Sequence, residues 1–260
     1  MELICQRDSL KKLEEAARYK SQSLLLVGPS GSGKTFLAKQ YSMLLNVPDF
    51  QVVKCDVQSI RDCIDECYEL SQPVVVCIEN IDGGQLSSSY TILKFLEEPM
   101  PNVYIVVTCT NIQKVPDTII SRSIVIQTSP PLMRDIEMIA KSRDSAKLEK
   151  ARRSAVWKCV RSFKDAEYVM NMTDEQIRYF ESMKDLLRFN DSVSNITWKL
   201  NHYSDNQDIP TQIVIQYIMT ITDNVHIKRA CIDCLNDLES SKIAEHAVLA
   251  RFVFECKYCE

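Results

Sequence analysis

Glycine is scarce in this chain. There are five in 260 residues: Gly28, Gly31 and Gly33 lie within six positions of one another, and Gly83 and Gly84 are adjacent. Backbone permissiveness is therefore confined to two short stretches that could serve a single site. Histidine is limited to His202, His226 and His246, each isolated, and none is assigned a catalytic role. No apolar run approaches the 18 or more residues a membrane span requires, and no opening basic and apolar run resembles a signal peptide. The expectation is a cytoplasmic protein. A net charge of -4 and a pI near 5.6 give no whole-molecule attraction to nucleic acid, so any DNA contact must come from a local patch or a larger assembly. The eleven cysteines are odd in number and scattered. They read as reduced, mostly buried thiols and not as a disulfide framework.

What is present is an ordinary globular composition, 45% hydrophobic and 25% charged, in a chain long enough for two or three domains. It is organised around Leu24-Leu25-Leu26-Val27 running into Gly28-Pro29-Ser30-Gly31-Ser32-Gly33-Lys34-Thr35. The order is buried strand, glycine-rich turn, helix, with the G-x-x-x-x-G-K-[ST] spacing of a phosphate loop. Glycines let backbone N–H groups face inward with no Cβ in the way, and the following helix N-terminus favours an anion. Lys34 would bridge the outer phosphates of ATP or ADP, and the Thr35 hydroxyl would enter a Mg²⁺ shell.

Around that centre, residues 8–20 carry apolar positions at helical spacing, and the helix after the loop runs to about Leu45, where Val47-Pro48 breaks it. Gln51–Cys55 is a short alternating segment, followed by a charged helix from about Val57 to Leu70. Pro73–Ile78 is a continuous apolar run, expected to be a strand buried on both faces. It ends at Glu79, where nucleotide-binding sheets place a carboxylate for Mg²⁺ or its water. A helix over Ser88–Glu98, a buried strand over Val103–Thr108, a turn holding Ser121-Arg122-Ser123 and a last strand over Ile124–Gln127 complete an α/β parallel sheet. Pro130-Pro131 marks a boundary, after which no glycine occurs and helical spacing dominates.

The stretch from Glu79-Asn80 to Leu96-Glu97-Glu98-Pro99 resembles the Walker B to Leu-Glu-Glu-Pro segment of bacterial clamp-loader AAA+ ATPases. Thr110-Asn111 through Ser121-Arg122-Ser123 is similar to their sensor 1 segment and Ser-Arg-Cys motif. Within that family the likeness is to the delta-prime type of DNA polymerase III, and the shortness of the chain points to a viral or reduced version. The resemblance implies a P-loop AAA+ domain over 1–129, an all-α lid over 130–180 and a helical collar for oligomerisation over 181–260. It further implies that residues 28–35 bind ATP with Mg²⁺ held through Thr35 and Glu79, that Thr110 is sensor 1, and that Arg122 is an arginine finger acting in trans on a neighbouring subunit. Arg178 is the candidate for the lid sensor. The implied partners are other AAA+ subunits in a hetero-oligomeric ring, a sliding clamp and, through the assembly, primed DNA, in DNA replication.

The sequence departs from the family at Asn80, where active members carry Glu. An amide can orient a water but cannot accept its proton, so weak or absent hydrolysis is expected. A catalytically active AAA+ ATPase such as a helicase loader is the alternative, and a small-molecule P-loop kinase is a weaker one. Arg122 also has a plainer explanation, that it pairs with a local acid. Cys231, Cys234, Cys256 and Cys259 superficially suggest a zinc ribbon, but they fall in helical sequence without knuckle turns, so buried thiols are preferred. The cation-rich stretch 134–164 reads first as a solvated helix face and second as a DNA- or neighbour-facing patch. Trp157 and Trp198 are expected to anchor helical cores.

Overall fold

A computed structural model describes residues 6–70, 72–84, 86–186, 192, 194–200, 209–239 and 244–258. The chain divides into two compact units between Asp135 and Ile136.

The first unit is a five-stranded, wholly parallel sheet: β1 (Ser23–Val27), β2 (Asp49–Lys54), β3 (Val74–Glu79), β4 (Val103–Cys109) and β5 (Ile124–Gln127), in the order β2-β3-β4-β1-β5. The interiors of the central strands, 24–27, 74–78 and 103–107, are apolar because both faces are covered. Leu24, Leu26, Val75, Cys77, Val106 and Ile126 point to one side, where they pack with Leu13, Ala16, Leu37, Ala38 and Tyr41 of α1 (Arg7–Arg18) and α2 (Lys34–Leu44). Leu25, Val74, Val76, Ile78, Ile105 and Val107 point to the other. There they meet Ile60, Cys63 and Cys67 of α3 (Val57–Glu69), Ile92, Phe95 and Leu96 of α4 (Leu86–Glu97), and Ile119 of α5 (Asp117–Ile120). The period-2 alternation of the pleat sends each successive apolar residue to a different helical layer.

Helix ends follow local chemistry. Asp56 caps α3 by accepting from the Ser59 amide at 2.8 Å. After α2, Asn46 takes a left-handed conformation (φ 57°) and the Val47 amide returns to the Ser42 carbonyl at 2.9 Å. The helix thus stops at Asn46, ahead of the proline.

The second unit is helical: α6 (Met133–Arg143, which begins in the first unit), α7 (Ser145–Arg153), α8 (Phe163–Met170), α9 (Asp174–Leu186), α10 (194–200), α11 (Thr211–Ile221), α12 (Val225–Glu239) and α13 (Glu245–Tyr258). One apolar core runs from Ile136 to Val253 and includes Trp157, Phe180, Tyr217 and Phe252. Trp198 corrects an expectation, since it is 58% exposed and anchors no core. Three of the cations in 134–164 form ion pairs within the unit: Arg143 with Glu167 (3.0 Å), Lys150 with Asp174 (2.8 Å), and Arg152 with Glu137 and Glu149 (each 3.5 Å). No helix among the described residues is long and apolar enough to cross a membrane.

Candidate nucleotide site

The carboxyl ends of β1, β3 and β4 converge, because Val27 is in register with Cys109 and the sheet is parallel. Residues 28–33 turn off β1, with Gly31 (φ 70°) and Gly33 (φ 93°) in the left-handed region that other residues enter only at a cost. Gly28 is required for a different reason. A Cβ there would lie 2.0 Å from Thr128 Oγ1 and 2.8 Å from the Thr128 carbonyl. The Gly31 and Gly33 amides have no protein acceptor among the described residues, as a loop built to receive an anion requires.

Lys34 is buried and donates from Nζ to the Gly28 carbonyl at 2.7 Å and the Pro29 carbonyl at 3.0 Å, so its ammonium lies against the loop. Thr35 Oγ1 donates to Glu79 Oε1 at 2.5 Å. A hydroxyl and a carboxylate oxygen are thereby brought together, the donor set a hard cation prefers. The residues present fit a Mg²⁺-nucleotide.

Asn80 has φ 56° and ψ 54°, and its amide donates to Thr108 Oγ1 at 3.1 Å. This left-handed backbone is one that asparagine tolerates better than most residues. Thr110 is beside the same edge, but its hydroxyl donates to Asp82 Oδ2 at 2.5 Å. The amides of Thr110 and Asn111 reach that same oxygen at 3.0 and 2.9 Å. Asp82 is partly buried, which pushes its carboxyl up, yet the three donors outweigh this and hold it below the usual carboxylate range. Sequence reasoning missed Asp82, although its place one turn after Glu79 on the same edge was a signal.

Arg122 lies at the other end of the sheet. Leu24 pairs with Ile124 and Val27 with Gln127, so about 15 Å of strand, at roughly 3.3 Å per residue, separates Arg122 from its own phosphate loop. Its side chain is 38% exposed. It pairs with Glu97 at 2.9 Å, donates to the Thr118 carbonyl at 3.0 Å, and lines an open pocket of about 410 Å³ with Gln22, Ser23 and Leu96. Within the isolated chain the plainer explanation, pairing with a local acid, is what is observed. Glu97 belongs to the Leu-Glu-Glu-Pro helix end, a link between the two motifs that spacing does not reveal.

The remaining candidates are dispersed. Arg178 is on α9, His226 on α12 and His246 on α13, while His202 and Cys259 lie outside the described residues. Burial raises the thiols of Cys231 and Cys234 to about 12 and that of Cys256 further. No group of three or more His, Cys, Asp or Glu disposed to hold a metal occurs among the described residues.

This sheet order and loop define a P-loop domain with the AAA+ fold. Residues 46–131, the stretch that holds Glu79, Thr110 and Arg122, match the family described as DNA polymerase III, delta subunit. A DNA polymerase III gamma subunit-related protein from Thermotoga maritima is similar in structure, at 15% identity over 96% of this chain and 98% of its own, with a TM-score of 0.53. A point mutant of Thermotoga maritima RuvB aligns at 16% identity over 94% of this chain and 80% of its own, with a TM-score of 0.51. At these identities the structural likeness carries the fold alone. No curated protein matches the chain.

Proposed function

We propose that this chain is a nucleotide-binding subunit of a clamp-loader assembly, of the delta-prime type, that helps place a sliding clamp on primed DNA. The observation that carries the proposal is the separation of two half-sites across one sheet: a phosphate loop at the carboxyl edge and an exposed arginine at the amino edge, too far apart to serve the same nucleotide. Such a protomer completes its chemistry only against neighbours, in a ring of AAA+ subunits.

Residues 28–35 would hold the phosphates, Lys34 leaving the Gly28 and Pro29 carbonyls to meet them, and Thr35 and Glu79 would hold Mg²⁺. The ion, when bound, neutralises charge on the phosphate oxygens. Asn80 carries no base at the position where one is needed, so intrinsic hydrolysis is weak or absent. Thr110, tied to Asp82, would act as sensor 1. Arg122 would leave Glu97 and fork onto a neighbour's nucleotide, where a permanent guanidinium charge stabilises the transferring phosphoryl group. In this scheme residues 130–180 are the lid and 181–260 the collar that joins subunits. The protein would act in the cytoplasm.

The test is reconstitution with candidate AAA+ partners and a sliding clamp. The isolated chain should bind Mg²⁺-ATP or ADP with little turnover. In the assembly, Arg122→Ala should lower the partners' turnover at least a hundredfold while this chain's own nucleotide affinity holds. Motor-like turnover by the isolated chain would instead favour the active AAA+ alternative.

A further inference from the structure

Gln6 stands at the N-cap of α1, yet its side chain makes no cap bond. It is 1% exposed, and a carboxamide buried this deeply must find partners inside the protein. Nε2 donates to the Ser32 carbonyl in the phosphate loop at 2.9 Å and to the Ser129 carbonyl, just beyond β5, at 2.9 Å. The Ser9 hydroxyl lies 2.9 Å from Gln6 Oε1 and 2.7 Å from the Gln127 carbonyl. Two carbonyl partners fix the carboxamide's orientation, because flipping it would set oxygen against oxygen. Ser32 is held a second time, its Oγ lying 2.7 Å from Thr128 Oγ1.

The Ser32–Gly33 peptide is trans, so its C=O and N–H point in opposite directions. Drawing the Ser32 carbonyl out to Gln6 therefore turns the Gly33 N–H the other way. That amide has no protein acceptor among the described residues, and Gly33 is left-handed and flanks Lys34. We infer that Gln6 is a positioning residue for the phosphate site. It touches no nucleotide, but it sets which way the Ser32–Gly33 peptide faces and ties that peptide to the exit of β5, so that the Gly33 N–H is presented to a phosphate oxygen before one arrives. The inference rests on the nucleotide-binding role proposed above.

Removing the tether lets the peptide sample the flipped state, and affinity falls by the fraction of loops no longer competent. Calorimetric titration of the whole chain with Mg²⁺-ATP should show Gln6→Ala binding about tenfold more weakly than wild type. Gln6→Glu supplies a readout that a merely structural role would not move. Ionised, its carboxylate would repel both carbonyls and attract the Gly33 N–H, and it should bind more weakly than Gln6→Ala at pH 8. Protonated, it regains one O–H donor, so its deficit relative to wild type should shrink at pH 5.5, while the Gln6→Ala deficit stays constant.

Gln6→Ala within twofold of wild type, or a Gln6→Glu deficit that does not vary with pH, overturns the inference. Should Gln6→Ala not fold, Gln6→Met, which keeps the side chain's bulk but removes its donor, takes its place in the titration, and wild-type affinity there overturns the inference equally. Failure of the wild-type chain to bind nucleotide is a separate result, one that strikes the function proposed above.

Discussion

Asn80 joins a chemical and a conformational constraint in one residue. Its amide supplies no base, and its left-handed backbone (φ 56°) disfavours most replacements. Asn80→Gly should therefore leave stability nearly unchanged, whereas Asn80→Ala should lose about 1 kcal/mol, read from denaturation midpoints at constant slope. Two residues on, Asp82 gathers the Thr110 hydroxyl and two amides onto one oxygen. Asp82→Ala strands those donors and should cost about 2 kcal/mol. Because the Asp82 carboxyl is depressed in the folded chain, it binds its proton less readily there than when unfolded. Its contribution is present above the ordinary carboxylate pKa, near 4, and is lost as pH falls through the lower folded value. Stability measured from pH 6 down to 2.5 should fall less steeply in Asp82→Ala than in wild type.

At the scale of elements, the two adjacent glycines after β3 make opposite demands. A Cβ at Gly83 would meet nothing within 4 Å, while one at Gly84 would lie 2.6 Å from Cys55 Sγ and 3.1 Å from the Cys55 carbonyl. Gly83→Ala should change stability by less than about 0.5 kcal/mol, and Gly84→Ala should lose about 1–3 kcal/mol, compared side by side in thermal melts. The strands of this sheet were legible because an interior strand covered on both faces must be apolar throughout, as 74–78 and 103–107 are. β2 lies at an edge and is only partly covered. Its start was read two residues late for that reason, at Gln51 and not Asp49. The phosphate loop was legible from spacing, since the glycine pattern itself encodes the backbone. The network of Gln6, Ser9 and Thr128 was not. Buried polar side chains answer to partners more than a hundred residues away, and no periodicity records such a pairing. Trp198 misled because indole size predicts burial only on average.

Over the molecule as a whole, the parallel sheet determines what one chain can do alone. Its carboxyl edge gathers the phosphate loop, Glu79 and Thr110, while Arg122 faces outward from the amino edge, held by an ion pair in which both side chains are more than a third exposed. Pairs of that kind contribute about 0–1 kcal/mol, so Glu97 restrains the arginine without fixing it, as the trans role proposed for Arg122 requires. Arg122→Ala and Glu97→Gln should each shift the stability of the isolated chain by less than about 1 kcal/mol and its Mg²⁺-ATP affinity by less than about twofold, because neither residue reaches the chain's own loop. In a reconstituted ring the two variants should separate: Arg122→Ala depresses the neighbour's turnover, whereas Glu97→Gln, which frees the guanidinium from its resting partner, maintains or raises it. Equal losses in both variants would mean that the pair works as a structural unit inside one subunit, and the trans role of Arg122 would then have to be abandoned.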